Sequence, residues 1–360
     1  MLKKTVRELR PYIPEVPLND LKKQLGLTDL VRLSANENPF GTSPQVTAKL
    51  ATTTQLPLNE YPDGDANALR QAVAKFLQVD PEQLLFGCGL DEVIELVART
   101  FLEPGDEVVE PWPTFSEYKL HAQIENAKCV DVPVTAAGTV DAAALAAAIT
   151  DRTKLVWLCN PNNPTGTFMK PAELAALIAK IPENVLVLVD EAYIEFVDAV
   201  ANPSAVQLLN QFPNLVVMRT FSKAYGLAGM RVGYAVVPKP LIASMQAVRL
   251  PYNLNSVSQT LALTALADQD FVAATKQKVI AARQSWTDYL TAQQLPYYQS
   301  QTNFIFFKVP DAAGMHDYLM HHGFLVRSGL QPNWLRVTFG SESENAQLQK
   351  LMTAYLKDVQ

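Results

Sequence analysis

The 360-residue sequence lacks the features of several protein classes. It has no long lysine- or arginine-rich run, and its formal charge of −6 argues against the basic surface of a nucleic-acid-binding protein. Its longest apolar runs, such as residues 185–189, are far shorter than the ~18 residues that a membrane helix needs. No apolar stretch follows the early lysines, so no secretory signal is predicted. We therefore expect a cytoplasmic protein that binds small molecules and neither nucleic acid nor membrane.

Cysteine, histidine and flexible linkers are also scarce. The three cysteines, Cys88, Cys129 and Cys159, each lie in or beside an apolar segment, and we expect them to be buried free thiols. His321 and His322 would point in different directions from a helix, with no carboxylate or cysteine at ligand spacing, so no metal site is predicted. No repeat, low-complexity tract or serine- and glycine-rich linker interrupts the chain, which predicts closely packed parts.

The sequence does contain a regular alternation of strand-like and helical patterns. Hydrophobic residues make up 48% of the chain, an ordinary globular composition, and the length suggests about two domains. Apolar strand-like runs occur at 84–86, 107–109, 154–159, 185–189, 215–218 and 232–237, with helical patterns at 91–101, 141–149 and 171–180. Runs that are apolar on both faces predict an α/β fold with a mainly parallel sheet covered by helices on both sides.

The pattern changes after residue 237. Helical stretches at 240–248 and 256–292 are followed by strand-like pieces at 302–308, 324–327 and 334–339, mixed with helices at 312–321 and 343–356. This mixture predicts a smaller α+β domain. We expect a large domain of residues 36–255 and a second part formed by residues 1–35 and 256–360.

Three predicted strands end in chemically suggestive residues. Asn160, Asp190 and Lys223 each follow such a strand, and ligands of a parallel sheet bind outside the carboxyl ends of its strands. A lysine amine and a carboxylate are what pyridoxal phosphate requires, since the amine forms a Schiff base with the aldehyde and the carboxylate keeps the pyridine nitrogen protonated. Taken singly, each residue has an ordinary alternative: a solvated lysine, or an aspartate that caps a helix.

A candidate phosphate site lies in the stretch FGCGLDEVIELV, residues 86–97. A strand, a turn at Gly87 and Gly89, and a helix opening near Asp91 would present backbone N–H groups and a positive helix end to an anion. Ser222 and Arg231 flank the lysine and could bind the same phosphate. The third glycine of the nicotinamide fingerprint is missing, and no Walker-type loop occurs, so neither of those sites is predicted.

These residues stand within motifs that span nearly the whole chain: LSANENPFGTSP (33–44), NEYPDG (59–64), GLDEVIEL (89–96), PWPTFSEY (111–118), CNPNNPTG (159–166), VDEAYIEF (189–196), RTFSKAYGLAGMRVGY (219–234) and WLRVTFG (334–340). In this order they resemble the fold-type I pyridoxal phosphate aminotransferases, and most of all the histidinol-phosphate aminotransferase family. The resemblance implies that fold, pyridoxal 5'-phosphate as cofactor, and a homodimer with shared active sites.

The resemblance also implies roles for individual residues of the cofactor site. It makes Lys223 the cofactor-bearing lysine and the proton carrier, and Asp190 the partner of the pyridine nitrogen. Phe115 would stack on the ring, while Asn160 and Tyr193 would bind its phenolic oxygen. The phosphate would be held by the Leu90 and Asp91 amides, by Ser222 and Arg231, and by Tyr61 from a second subunit. Leu90 departs from the small or hydroxylated residue common there and offers only its backbone N–H.

For the substrates, the resemblance points to two arginines. Arg336 matches the family arginine that binds an α-carboxylate, and Arg327 is a second basic group from the same part of the chain. A planar guanidinium can hold either carboxylate or phosphate through two parallel bonds. Tyr12, Asn36 and Asn303 match further pocket positions.

The implied activity is amino transfer between histidinol phosphate and 2-oxoglutarate, a step of histidine biosynthesis. An aminotransferase for phenylalanine and tyrosine stays open, because imidazole and phenyl pockets are alike in size. A decarboxylase of phosphorylated amino acids with the same fold and a non-catalytic cofactor-binding regulator are further alternatives. Such regulators usually carry a DNA-binding module ahead of the fold, and the family match begins near Tyr12.

Overall fold

The computed structural model of the chain describes residues 4–7, 9, 16–57 and 59–359, so the predicted pocket residue Tyr12 lies outside the described residues. The strands are β1 Val31–Arg32, β2 Leu84–Cys88, β3 Glu107–Trp112, β4 Lys128–Pro133, β5 Thr153–Cys159, β6 Leu186–Asp190, β7 Leu215–Thr220, β8 Val232–Val236, β9 Phe304–Lys308, β10 Phe324–Leu325 and β11 Trp334–Thr338. The α-helices are α1 Leu18–Leu25, α2 Pro44–Leu50, α3 Asn67–Leu77, α4 Gly89–Phe101, α5 Ser116–Ile124, α6 Ala142–Ala147, α7 Pro171–Ile178, α8 Lys239–Val248, α9 Ser256–Ala267, α10 Gln269–Ala292, α11 Ala312–His321 and α12 Glu342–Val359.

The central element is a seven-stranded sheet of order β2-β8-β7-β6-β5-β3-β4. The pairs β7/β6, β6/β5, β5/β3 and β3/β4 are parallel, whereas β8 runs antiparallel to both β2 and β7. The predicted α/β fold with a mainly parallel sheet is therefore confirmed.

Helices cover both faces of this sheet because its strands are apolar on both faces. In β5, Leu155 and Trp157 pack in one core with α4, while Val156 and Leu158 pack in another core with α6 and α7. This division follows the two-residue period of a strand, whose successive side chains point to opposite faces. The near-continuous apolar pattern of these strands is explained by burial on both sides.

Three details of the fold differ from the sequence prediction. Strand β4 was not predicted, because its residues KCVDVP are not a continuous apolar run: it lies at an edge of the sheet, where most of its residues are at least partly exposed. The direction of β8 was not predicted either, since hydrophobic pattern carries no strand direction. The single long helix expected at 256–292 is two helices that meet at Asp268, whose carboxylate caps α10 by accepting from the Phe271 N–H at 3.2 Å.

The chain after α8 contributes three strands to two further small sheets, and β1 supplies the fourth. Strand β11 pairs antiparallel with β9, and β1 pairs parallel with β10. Trp286 of α10, Phe304 of β9 and Leu348 of α12 belong to one buried core, which also includes Leu33 from the N-terminal part and Tyr193 from beyond β6. The small antiparallel sheet is thereby packed against the region where the parallel strands end.

The expectation for the cysteines holds only in part. All three are free thiols, and Cys159 is buried at the end of β5. Cys129 is half-buried, and Cys88 is exposed where β2 ends, so the prediction that all three are buried is wrong. No described helix is long and apolar enough to cross a membrane.

Candidate active site

The carboxyl ends of three neighbouring strands form one polar edge of the large sheet. Strands β5, β6 and β7 lie side by side and parallel, so their ends bring Asn160, Asp190 and the loop holding Lys223 to the same edge. The backbone N–H of Asn160 donates to the Asp190 carbonyl at 2.8 Å, continuing the ladder to the rim. The sequence placed these three residues at strand ends, and the sheet order makes the three strands neighbours.

Lys223 is half-buried in the loop after β7. Its Nζ donates to the Ala35 carbonyl at 3.1 Å and lies 5.8 Å from the centre of the Tyr193 ring. Burial, followed by the nearby Arg336 guanidinium, lowers the pKa of Lys223 to about 8. A substantial fraction of this amine is therefore neutral near physiological pH, which an ordinary lysine with a pKa of ~10.4 is not.

Asp190 is a buried carboxylate at the end of β6. Its Oδ1 accepts from the Ala192 N–H at 2.9 Å, and its Oδ2 accepts from the Tyr118 hydroxyl at 2.6 Å. Burial raises the pKa of Asp190 to about 6, and the two hydrogen bonds oppose that rise. The group is thus ionised above pH 6 and retains lone pairs for a further donor.

Two polar side chains lie beside this pair. The Tyr193 hydroxyl accepts from Asn36 Nδ2 at 3.0 Å, and burial raises the pKa of Tyr193, which keeps the phenol protonated. Asn36 is held in turn by Thr338 of β11, whose hydroxyl donates to the Asn36 Oδ1 at 3.0 Å. The Asn160 amide is bonded to both backbone groups of Met169, at 2.9 and 2.7 Å. The Asn36 bonds join the large sheet to the small one across the site.

The start of α4 forms a close cradle with the loop before β8. Gly89 opens the helix with a φ of 78°, and a Cβ there would lie 2.4 Å from Arg231 Nη2. A Cβ on Gly233 would lie 2.7 Å from the Leu90 backbone nitrogen. The positive φ of Gly89 favours glycine, and at Gly233 the approach of the Gly89 and Leu90 backbone leaves no room for a Cβ. Arg231 Nη2 also donates to the Asp91 carboxylate at 3.0 Å, so the predicted phosphate residues of α4 and Arg231 lie together. Ser222 is buried in the loop that follows β7.

Arg336 occupies the centre of β11 and is buried. Its Nη1 donates to Asn163 Oδ1 at 2.6 Å, its Nη2 donates to the Ser34 carbonyl, and its guanidinium carbon lies 5.4 Å from the Phe304 ring centre. Asn303 precedes β9, and its Nδ2 donates to the carbonyls of Asn36 and Glu37 at 3.1 and 3.2 Å. Arg336 and Asn303 therefore contact the segment of residues 34–37, whose Ala35 carbonyl also accepts the hydrogen bond from Lys223.

Arg327 is next to Arg336 across the small sheet. The two backbones exchange hydrogen bonds of 3.0 and 2.9 Å, yet the half-buried Arg327 guanidinium makes no hydrogen bond or ion pair among the described residues. Tyr61 is the most exposed of the predicted aromatic site residues that the structure describes. Its side chain is 82% exposed and stacks on Tyr252, with ring centres 4.6 Å apart.

The sequence prediction gave no role to Tyr118, nor to Asn163 and Thr338, which hold Arg336 and Asn36. Tyr118, the last residue of the motif PWPTFSEY, donates to Asp190 and meets the Phe115 ring edge-on at 5.6 Å. Its three-residue spacing from Phe115 at the start of α5 was the available signal, since such residues lie on one helix face. Its partner Asp190 is 72 residues away, which no local pattern reveals.

Comparison with known proteins identifies the family of the chain. The sequence family aminotransferase class I and II matches residues 28–354. The chain belongs to this family. It is 49% identical over 98% of its length to a histidinol-phosphate aminotransferase of Lactiplantibacillus plantarum, of which 99% is covered. It is 46% identical to one of Limosilactobacillus fermentum, with 99% of both chains covered.

Solved structures give the same family relationship for the fold. The crystal structure of histidinol-phosphate aminotransferase from Sinorhizobium meliloti in complex with pyridoxal-5'-phosphate is similar to this chain with a TM-score of 0.91. The two sequences are 28% identical, and the similarity covers 100% of this chain and 98% of that one. The aminotransferase fold predicted from the sequence is confirmed.

Proposed function

We propose that this aminotransferase exchanges an amino group between histidinol phosphate and 2-oxoglutarate, with pyridoxal 5'-phosphate as its cofactor. The observation that carries the proposal is a half-buried lysine with a pKa of about 8 beside a buried guanidinium, at the sheet edge that also holds Asp190. The full-length similarity to relatives with that name supports it. The phenylalanine and tyrosine alternative has no comparable support.

The residues present fit this cofactor. The N–H groups of the first turn of α4 have no intrahelical partner, and the glycine cradle brings them close to Arg231, which suits a phosphate. Asp190 is buried yet has spare lone pairs, which suits a protonated ring nitrogen. We infer that Leu90, Asp91, Ser222 and Arg231 hold the phosphate, and that Phe115, Asn160, Asp190 and Tyr193 hold the ring.

Pyridoxal phosphate, when bound, supplies an aldehyde that accepts the amino group and a ring that withdraws electrons from the substrate's α-carbon. Lys223 then acts as the base that takes a proton from that carbon, because its amine is neutral in part near pH 8. Asp190 keeps a negative charge against the ring nitrogen. The Tyr193 hydroxyl, fixed by Asn36, remains a proton donor for an adjacent oxygen.

At the substrate end, two guanidinium groups share the recognition. Arg336 is held in place by Asn163 and Ser34, and we assign to it the carboxylate of glutamate. Arg327 makes no side-chain hydrogen bond or ion pair among the described residues, and we assign to it the phosphate of histidinol phosphate. Asn36, Asn303 and Tyr12 complete the proposed pocket.

We also propose a homodimer in which Tyr61 reaches the phosphate of the partner's site. Its 82% exposure and its position on a turn with Pro62 and Gly64 support a contact outside its own chain. A cytoplasmic location and the division into a large domain of residues 36–255 and a second part of residues 1–35 and 256–360 belong to the same proposal.

A substrate panel tests the function. Purified enzyme loaded with pyridoxal phosphate would be offered histidinol phosphate, phenylalanine, tyrosine and phosphothreonine against 2-oxoglutarate, and specificity constants compared. Histidinol, which lacks only the phosphate, is the matched control. Each charged hydrogen bond to the phosphate contributes ~1.5–3 kcal/mol, so histidinol phosphate should exceed histidinol by about 10- to 100-fold. Phenylalanine equal to histidinol phosphate would favour the aromatic aminotransferase, and no turnover would favour a regulator.

A further inference from the structure

Tyr118 is a buried phenol whose hydroxyl is directed at the key carboxylate of the site. Its side chain is 1% exposed, and its hydroxyl donates to Asp190 Oδ2 at 2.6 Å. The other oxygen of Asp190 accepts only from the backbone of Ala192. Tyr118 is therefore the one described side chain that hydrogen-bonds to this carboxylate.

The position of the Tyr118 ring is fixed from two sides. Its ring stacks on Trp157 of β5, with centres 4.4 Å apart and planes 5° apart. Its other neighbour is Phe115, which it meets edge-on at an interplanar angle of 82°. Because a stacked, fully buried ring has a single orientation, the hydroxyl is held at one place, against Asp190. The same ring also supports Phe115, the residue proposed to stack on the cofactor.

We propose that Tyr118 is a positioning residue that sets the basicity and orientation of Asp190 toward the cofactor's ring nitrogen. The inference rests on the proposed function only in that the site binds pyridoxal phosphate. A donor to a carboxylate stabilises its ionised form and weakens it as a base. The proton shared between Asp190 and the ring nitrogen is thereby kept on the nitrogen, where it makes the ring a better electron acceptor.

The surroundings of Asp190 make this donor necessary. Burial raises the pKa of Asp190 to about 6, and the charges of Asp91 and Glu191 raise it further. The Tyr118 hydroxyl and the Ala192 N–H are the groups that oppose the rise. Without Tyr118, Asp190 would be a stronger base and would be held, among the described residues, only by the Ala192 N–H, and both changes draw the proton away from the ring nitrogen.

The experiment measures the ring nitrogen directly. Enzyme loaded with pyridoxal phosphate labelled with ¹⁵N in the ring would be titrated without substrate, and the ¹⁵N chemical shift followed by NMR. In Tyr118→Phe, which retains the stacked ring, the apparent pKa of the ring nitrogen should fall by about 1 to 2, because a hydrogen bond to a charged group is lost. A titration identical to that of the wild type would overturn the proposal.

Two further variants separate positioning from packing. Tyr289→Phe removes a tyrosine hydroxyl that bonds Thr353 at 3.2 Å, far along the chain in α10, and should leave the nitrogen titration unchanged. On an Asp190→Asn background, Tyr118→Phe should also have no further effect, because the residue through which it acts is gone. An equal fall on both backgrounds would contradict the mechanism.

A second replacement tests the proposal if the Tyr118→Phe variant does not fold. 3-Fluorotyrosine at position 118 keeps the hydroxyl and makes it a stronger donor, so the apparent pKa of the ring nitrogen should rise. A merely structural hydroxyl predicts no change, and that result would overturn the proposal. Since no substrate is present, these results stand even if the substrate panel identifies another amino donor. Wild-type enzyme that fails to bind pyridoxal phosphate would instead refute the proposed function itself.

Discussion

The two halves of the candidate site differ in how far the chain satisfies their polar groups. In the sheet half, defined as Asn160, Asp190, Tyr193 and Lys223, every side chain has a hydrogen-bond partner within the chain. In the arginine half, defined as Asn303, Arg327 and Arg336, two groups are left open. Among the described residues, the buried Asn303 Oδ1 has no hydrogen-bond partner, and neither does the Arg327 guanidinium.

The difference corresponds to what each half is proposed to bind. The ring and the phosphate of the proposed cofactor are unchanged when it takes up or gives back the amino group, so rigid, satisfied groups can be arranged around them in advance. The two amino substrates proposed here differ at one end, a carboxylate in one and a phosphate in the other. The Arg327 guanidinium, a donor that is open in the described residues, can bond either anionic end without first breaking an internal contact.

The largest effect is expected in the sheet half. Lys223→Ala should lower the rate of amino transfer by about 10²- to 10⁴-fold through loss of proton transfer alone, since that is the usual contribution of a general base. Cofactor binding should persist, because other residues hold the ring and phosphate. Borohydride reduction of the wild type followed by peptide mapping should label Lys223.

Lys276 provides the matched control for this experiment. It is also half-buried, and its Nζ donates to a backbone carbonyl, that of Val197, at 2.6 Å. Lys276→Ala should retain full amino transfer and cofactor attachment. A stable label on Lys276, or on any lysine other than Lys223, would refute the assignment.

The sheet half was also the more predictable from sequence. Strand-like runs end in Asn160, Asp190 and the segment of Lys223, and the structure makes these strands parallel neighbours. Such local signals exist because a buried parallel strand is uniformly apolar, so that the polar residue ending it stands out. The roles assigned to these residues stay predictions.

Contacts between distant segments could not be predicted from sequence. Tyr118 meets Asp190 across 72 residues, and Asn36 meets Thr338 across 302 residues. Hydrophobic period specifies which face of an element is buried, but it does not specify which elements pack against each other. The break at Asp268 was also missed. An aspartate can lie inside a helix or cap its start, and the helical pattern on both sides of Asp268 does not distinguish the two.

Replacing either arginine by lysine should have a smaller effect than Lys223→Ala. The two variants compare an arginine that is hydrogen-bonded within the chain with one that is not. Arg336→Lys keeps the charge but loses the bonds to Asn163 and Ser34, so both the melting temperature and the specificity constant for glutamate should fall, the latter by about 10- to 100-fold. Arg327→Lys should leave the melting temperature unchanged and lower only the specificity constant for histidinol phosphate. An equal fall in melting temperature for both variants would show that the Arg327 guanidinium makes stabilising bonds within the protein.

The smallest difference from the wild type, about twofold, is expected in a heterodimer that tests Tyr61, a residue outside both halves. Tyr61 is 82% exposed in the single chain, and we expect it to complete the site of a second subunit. Tyr61→Asp should repel the cofactor phosphate, and Lys223→Ala removes the base, so each homodimer should be nearly inactive. In a heterodimer of these two chains, a trans arrangement gives one site an intact Lys223 and an intact Tyr61.

About half of the wild-type activity per dimer should therefore return when differently tagged chains are coexpressed and the heterodimer is purified. The control pairs Lys223→Ala with Asp190→Asn. These two residues lie at the same edge of one sheet, so every site of that heterodimer stays damaged and no activity should return. If Tyr61 served its own chain, the first heterodimer would be as inactive as this control. Recovery in the first pair alone requires that the tyrosine and the lysine of one site come from different chains.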